Sequence, residues 1–124
     1  DSLWNDLLNF FEDKINRFVK AGGAESLVLL DPGIGFGKKL EHNVDILRHL
    51  DRLHCFGRPV FLGCSRKSFI TGISDSNPQS PEDRLPGSLA AAAQAAIHGV
   101  HLLRVHDVAE TAQFLKVFRE ISRG

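Results

Sequence analysis

Three apolar runs, each ending in a burst of polar and glycine residues, constrain the fold of this chain more than any other feature. They predict strands at residues 27–31, 59–64 and 100–105. The apolar residues do not alternate with polar ones, which is typical of strands buried on both faces of a parallel sheet covered by helices. Ligands bind at the carboxyl ends of the strands in such sheets and barrels. The polar side chains after the strands are therefore expected to converge on one site: Asp31, Lys67, Arg104 and His106.

Helices are predicted between and around these strands. Apolar spacing indicates helices at 3–20 and 41–53, a small-residue helix at 89–97 after Ser88, and a last helix that begins with a capping-box-like Asp107 and Glu110. The inward-facing residues of the last helix are predicted to be Val108, Leu115, Phe118 and Ile121. Ser65 is predicted to start a short helical turn, and the Gly, Ser, Asn and Pro residues of 72–81 predict a loop.

The alternation of strands and helices favours parallel βαβ units. Three strands are too few for a closed eightfold barrel, which needs about 250 residues. The chain could form a small open sheet. It could equally form the last three βα units of a barrel, preceded by the helix of a fourth unit.

Composition argues against several classes of partner. Fifteen basic and fifteen acidic side chains cancel, so no charge excess points to nucleic acid or to an anionic membrane. No apolar stretch approaches the ~20 residues of a membrane span, and the start does not resemble a signal peptide. Cys55 and Cys64 are expected to be free thiols in a reducing cytoplasm. Because the chain has no methionine and opens directly into a helix, we expect it to be cut from a longer protein.

The glycine-rich loop 31–38 does not match the common phosphate-binding motifs. Lys39 stands where a Walker A motif needs Ser or Thr, and Lys38 occupies the position of the last glycine of G-x-G-x-x-G. The glycines by themselves are also compatible with a strained turn that binds nothing. Asp31 is more informative, because a carboxylate at the end of a strand suits paired N–H donors on a heterocycle.

The segment that follows the second strand has the chemistry of an anion site. Backbone N–H groups at a helix start favour a carboxylate or phosphate, Ser65 or Ser68 can add a hydroxyl, and Lys67 supplies a compact cation. The alternative is a set of solvated charges with no ligand.

Arg104 and His106 lie two residues apart in a predicted strand, so their side chains share a face. Together they suit a phosphate or pyrophosphate, although Arg104 could instead pair with Asp31 or Asp107. The remaining histidines form no convincing metal-ligand set: His42, His49, His54, His98 and His101.

Four motifs in this order resemble the dihydropteroate synthase family: Asp31–Lys38, Gly63–Lys67, Gly87–Ala91 and Arg104–Asp107, with Asn43 downstream of the glycine loop. The resemblance covers the chain from about residue 25. It implies a pterin-binding (β/α)8 TIM barrel, of which residues 1–124 would be the C-terminal part of a single domain. The family joins 6-hydroxymethyl-7,8-dihydropterin pyrophosphate to para-aminobenzoate, releases pyrophosphate, and is the target of sulfonamides.

The resemblance also implies a role for each matching residue. The pterin would be bound by Asp31, Gly63, Lys67 and Arg104. The pyrophosphate would be held by Arg104 and His106, which with Lys67 are the implied catalytic residues. The aminobenzoate pocket would be bordered by Phe36, Ser65, Arg66 and Ser68. Mg²⁺ would bind through the pyrophosphate, with its protein ligand in the missing N-terminal part and none in this chain. The parent enzyme would be a cytoplasmic homodimer.

Two other interpretations stay open. A methyltetrahydrofolate-dependent methyltransferase would share the pterin-binding aspartate but would not need Arg104 and His106 for a pyrophosphate. A non-catalytic half-barrel would associate through exposed sheet edges. Because the family's first strands also contribute to the site, we expect the isolated chain to be inactive.

Overall fold

The computed structural model describes residues 2–74 and 84–123. The α-helices are α1 Ser2–Lys20, α2 Leu40–Arg48, α3 Phe69–Ser74, α4 Leu85–Ile97 and α5 Val108–Ser122. Two 3₁₀ helices span Glu25–Leu27 and Leu50–Phe56. The strands are β1 Phe61–Leu62 and β2 Leu102–Leu103. No helix in the described part of the chain is long and apolar enough to cross a membrane.

The three predicted strand positions pair in parallel, with β1 in the middle. Phe61 and Leu62 of β1 lie opposite Leu102 and Leu103 of β2. On the other side, Leu30 forms a parallel bridge with Val60. There the Leu30 N–H donates to the Pro59 carbonyl at 3.0 Å, and the Leu30 carbonyl accepts from Phe61 at 2.8 Å. The parallel order is confirmed, but regular pairing is shorter than predicted. Among the described residues, each outer run has a partner on one side only.

The helix predictions differ from the structure mainly at the ends. The predicted helix 41–53 is α2 followed by the second 3₁₀ helix. Helix α4 begins four residues earlier than expected, at Leu85, because Pro86 fits its first turn. Ser65 lies in a turn, and α3 begins only at Phe69. Of the predicted loop 72–81, residues 72–74 belong to α3, and 75–81 lie outside the described residues.

The core lies between the sheet and the helices. Its most enclosed side chains, at 2 % exposure or less, include Trp4, Leu30, Ile46, Leu50, Leu53, Val60 and Leu62. Trp4 anchors α1, and the guanidinium of Arg52 lies 5.3 Å from its ring. The small side chains of α4 pack closely as predicted, with Ala91, Ala92 and Ala95 buried.

Helix α5 corrects two expectations. Val108 and Ile121 are 65 % and 78 % exposed rather than inward. Thr111 lies on the face of α5 that packs against α4. Val108 and Ile121 lie on either side of that face, near opposite ends of the helix. Asp107 does precede α5, but its side chain makes no capping hydrogen bond. Its carboxylate binds Arg66 instead, a stronger charge-assisted partner than a backbone N–H.

Candidate active site

The polar residues after the three strand runs lie at one end of the sheet. The guanidinium of Arg104 lies against Gly63, so that a Cβ on residue 63 would be 3.1 Å from its Nη2 atom. Lys67 donates to the Ile34 carbonyl at 2.9 Å, which brings the end of β1 to the glycine loop. The charges of Arg104 and Asp31 both act on the pKa of Lys67. The structure therefore brings Asp31, Lys67 and Arg104 together.

Side chains hold the glycine loop in place through hydrogen bonds to its backbone groups. The Asp31 carboxylate accepts from the Gly33 N–H at 2.9 Å, and the buried Asn43 amide oxygen accepts from the Gly35 N–H at 3.0 Å. Lys38 donates to the Gly33 carbonyl at 3.1 Å. Gly33 and Gly35 have φ values of +73° and +85°, a region that other residues rarely adopt. The exposed Asp31 carboxylate is thus presented from a turn of defined shape.

Lys67 is half-buried, and its ammonium lies 4.3 Å from the centroid of the Phe36 ring. Burial lowers the pKa of Lys67 below 10.5, and the neighbouring Arg104 charge lowers it further, while Asp31 opposes both effects. A cation in these surroundings gains from an added electron-rich ring or anion, because such a partner compensates the lost solvation.

Ser65 and His106 form the third contact between strand ends. The buried Ser65 hydroxyl oxygen accepts the His106 backbone N–H at 3.2 Å and lies 3.1 Å from His106 Nδ1. The His106 side chain is otherwise exposed. One nitrogen of the imidazole is therefore oriented by Ser65, which directs the other nitrogen away from the turn.

Arg66 and Asp107 form a bidentate ion pair beside this contact. The Asp107 oxygens accept from Arg66 Nε at 3.0 Å and from Nη2 at 2.6 Å. The hydrogen bond from Arg66 is the main reason that the pKa of Asp107 lies below its usual 3.8. Arg104 does not take Asp107 as its partner, which was one of the alternatives left open by the sequence.

Sequence reasoning missed the contribution of α1. A cavity of about 440 Å³ lies between this helix and the glycine loop, lined by Asp6 and Phe10 on one side and by Asp31–Gly33 and Lys38 on the other. The signal was present, since Asp6 and Phe10 are four residues apart and share a helical face. Ser88 and Arg84 were also missed. They bind the backbone of Arg66, at its N–H (2.8 Å) and its carbonyl (2.7 Å).

The resemblance implies that Mg²⁺ binds through the substrate pyrophosphate, with no protein ligand in this chain. Residues 2–74 and 84–123 contain no group of three His, Cys, Asp or Glu side chains that could hold a metal ion. The nearby carboxylates of Asp31 and Asp107 already accept hydrogen bonds from Gly33 and Arg66.

Comparison with known proteins gives the class first. The family model described as "Pterin binding enzyme" matches residues 1–106. The chain belongs to this family. Within it, the chain is similar to dihydropteroate synthases: 43 % identical over 117 residues to that of Escherichia coli and 37 % over 119 residues to that of Haemophilus influenzae.

The solved structures agree. The Yersinia pestis dihydropteroate synthase superposes with a TM-score of 0.92 at 41 % identity, and the Xanthomonas albilineans enzyme in complex with 7,8-dihydropteroate with 0.92 at 40 %. Both matches cover 100 % of this chain but only 50 % and 47 % of the other. The chain likewise spans 40 % of the Escherichia coli relative's length, although 94 % of its own. The expected TIM-barrel fold class is confirmed, and the chain forms part of such a barrel. Its position as the C-terminal part stays a prediction.

Proposed function

We propose that this chain is part of a dihydropteroate synthase, which condenses 6-hydroxymethyl-7,8-dihydropterin pyrophosphate with para-aminobenzoate to give 7,8-dihydropteroate and pyrophosphate. The observation that carries the proposal is the meeting of Asp31, Lys67 and Arg104 at one end of a parallel sheet. The structure of the Xanthomonas albilineans relative with 4-aminobenzoic acid and that with 7,8-dihydropteroate support it.

In this proposal the pterin lies across the three strand ends. Asp31 accepts hydrogen bonds from the pterin 2-amino group and N3, in the bidentate geometry of a carboxylate with two parallel donors. Lys67 donates to the O4 side of the ring, and the planar guanidinium of Arg104 lies along the pterin. Gly63 permits this arrangement, because any side chain there would push against Arg104.

Arg104 and His106 act on the pyrophosphate. As the bond between the pterin methylene and the pyrophosphate oxygen breaks, negative charge grows on the leaving group and positive charge on the methylene. Donors already in place stabilise that growing charge without reorganisation. Ser65 keeps the His106 ring in position for this contact. The amine of aminobenzoate attacks the methylene and loses a proton, so no protein nucleophile is needed.

The aminobenzoate pocket is proposed beside the same turn. Phe36 offers an exposed ring at the edge of the glycine loop, and the exposed Ser68 offers a hydroxyl next to Lys67. Ser65 is buried, and its hydroxyl oxygen already accepts a hydrogen bond from the His106 N–H. Arg66 differs from these residues, because its guanidinium already pairs with Asp107.

Three further features belong to the proposal. Mg²⁺ would be bound to the substrate pyrophosphate and would neutralise part of its charge, with a protein ligand outside this chain. The parent enzyme would be a homodimer. It would work in the cytoplasm on small-molecule substrates, with neither nucleic acid nor a membrane as its partner.

The parent enzyme, in which the remaining βα units complete the barrel, provides the test. Asp31→Ala should weaken binding of the pterin pyrophosphate about tenfold to a hundredfold in calorimetry, because a charge-assisted hydrogen bond contributes about 1.5–3 kcal/mol. Arg104→Ala should lower turnover as well, because its partner gains charge in the transition state. Glu41→Ala removes an exposed carboxylate from α2 and is the matched control. Unchanged affinity in Asp31→Ala would contradict the role of Asp31.

A further inference from the structure

The turn between β1 and α3 contains an unusual backbone conformation. Arg66 has φ +54°, and it is the only non-glycine residue with a positive φ in the described ranges 2–74 and 84–123. Side chains on L-residues disfavour this left-handed region, because Cβ approaches the following carbonyl oxygen. Such a conformation persists only where the surrounding structure holds it.

Three side chains in the described part of the chain hold Arg66 from outside the turn. The Ser88 hydroxyl oxygen accepts its N–H at 2.8 Å, and Arg84 Nη1 donates to its carbonyl at 2.7 Å. Asp107 accepts from two nitrogens of its guanidinium. Ser88 is 7 % exposed and donates its own proton to the Arg84 carbonyl at 3.0 Å, which links two of the three partners. Backbone and side chain are thus fixed together.

Ser65 and Lys67, which precede and follow Arg66 in the chain, both contact other residues of the candidate active site. Ser65 binds the backbone N–H and ring of His106, and Lys67 reaches the Ile34 carbonyl and the Phe36 ring. The φ angle of Arg66 sets the direction of Ser65 relative to Lys67. If Arg66 relaxed to an ordinary conformation, both contacts could not be kept at once.

We propose that Ser88 and Asp107 are positioning residues, which hold Arg66 in the left-handed conformation so that His106 and Lys67 face the same ligand. The guanidinium of Arg66 then serves this clamp rather than the aminobenzoate pocket that the resemblance implied. The catalytic consequence rests on the proposed function, whereas the clamp itself rests on the geometry of this chain.

Amide hydrogen exchange of the parent enzyme tests the clamp directly. Ser88→Ala and Asp107→Asn should each lower protection of the Arg66 and His106 amides about tenfold or more, while the Leu30 amide in the sheet keeps its protection. Asp13→Asn removes a carboxylate from the exposed ion pair with Arg17 and should change none of them. Unchanged protection at His106 in both variants would overturn the clamp. An equal loss at His106 and Leu30 would overturn it too, because that is general destabilisation.

Kinetics of the parent enzyme test the consequence. Ser88→Ala and Asp107→Asn should both lower kcat about tenfold with a smaller change in the KM for aminobenzoate, because they misplace groups that act on the leaving pyrophosphate. The opposite result would be a raised KM for aminobenzoate at unchanged kcat in Arg66→Lys, together with unchanged kinetics in Ser88→Ala. That result would show that Arg66 binds aminobenzoate directly, and it would overturn the positioning role. A parent enzyme that shows no turnover before substitution would contradict the proposed function and leave the exchange result standing.

Discussion

The Lys67 ammonium lies 4.3 Å from the centroid of the Phe36 ring, although the two residues belong to different βα loops. A side chain at Gly35 would crowd this contact, because its Cβ would lie 3.0 Å from Lys67 Cδ. The same ammonium donates to the Ile34 carbonyl. The glycine loop and the end of β1 therefore form one unit, and a substitution in either should perturb the structure of the other.

The lowered pKa of Lys67 gives a pH dependence with a definite sign. A base whose pKa in the folded state lies below its unfolded value holds fewer protons when folded, so stability rises with pH in the window that ends near 10.5. We expect Lys67→Met to remove this rise. The unfolding free energy of the Lys67→Met parent enzyme should therefore fall relative to that of the unmodified parent enzyme as pH rises towards 10.5. Urea titrations at several pH values measure it.

The control for this prediction is Lys39→Met, which removes the same charge from an exposed position. An equal pH effect in Lys39→Met and Lys67→Met would show that the general loss of charge, rather than the surroundings of Lys67, is responsible.

Cys64 should resist alkylation while Cys55 reacts. Burial raises the pKa of the Cys64 thiol from 9.0 to about 11, and Cys55 is exposed. In the folded parent enzyme, iodoacetamide at about pH 9 should therefore modify Cys55 and leave Cys64 unmodified, and in urea it should modify both thiols, as read by peptide mass spectrometry. Because the unfolded thiol ionises first, folding stability should fall by about 2–3 kcal/mol as pH rises from 9.0 to about 11. Equal alkylation rates of Cys55 and Cys64 in the folded parent enzyme would refute this.

Asn43→Ala should loosen the glycine loop. Asn43 is 4 % exposed, and its amide oxygen accepts the Gly35 N–H. Loss of this hydrogen bond should cost about 0.5–1.5 kcal/mol, because the N–H left behind belongs to the exposed Gly35, and the exchange protection of the Gly35 amide should fall with it. Thermal unfolding and amide exchange of the parent enzyme measure the two effects. Glu41→Ala, at an exposed position of the same helix, should show neither. A stable Asn43→Ala chain with a protected Gly35 amide would mean that another group holds the loop.

Gly63→Ala should displace Arg104 without straining the backbone, since Gly63 does not have a positive φ. The added Cβ would lie 3.1 Å from Nη2 and 3.3 Å from Nε of a side chain that can move away. We expect about tenfold weaker binding of pterin pyrophosphate by the parent enzyme, with little change in its thermal stability. In a double-mutant cycle the effect should vanish on the Arg104→Ala background. A full effect on that background would show that Gly63 acts independently of Arg104.

The purified chain should self-associate through its sheet edge. Both backbone groups of Leu30 point to β1, so those of Leu29 point to the open side, where Leu27 and Leu29 are 75 % and 52 % exposed. Unpaired apolar edges are association sites. Light scattering should therefore find oligomers of the purified chain, and Leu29→Lys should form fewer of them. The purified chain should also form no dihydropteroate. Ile121→Lys, on an exposed face of α5, is the control for added charge.

The missing βα units, added as a separate polypeptide, should restore a cooperative thermal transition and pterin binding. A monodisperse and cooperatively folded chain without them would contradict the incomplete-barrel interpretation. Turnover by that chain alone would show that the other strands are dispensable.

The order of the elements and the residues at the strand ends could be predicted from the sequence because both depend on local patterns. Apolar runs without alternation predicted the parallel strands, and the polar residues directly after them had to lie at one end of the sheet. The glycine loop is local in the same sense, since Asp31 binds an N–H only two residues away. These features needed no knowledge of distant partners.

Contacts between distant parts of the chain could not be predicted in this way. Asp107 looked like a helix cap, but Arg66, 41 residues earlier, takes its carboxylate. The left-handed conformation of Arg66 depends on Ser88, 22 residues later. Val108 and Ile121 fitted an apolar stripe, yet the face that packs is decided by where α4 lies. Sequence pattern thus determined which strand-end side chains reach the site, because periodicity and turn chemistry act over a few residues. Only the tertiary structure decided how they are held, because the free energy of each hydrogen bond or ion pair depends on which distant group comes within reach.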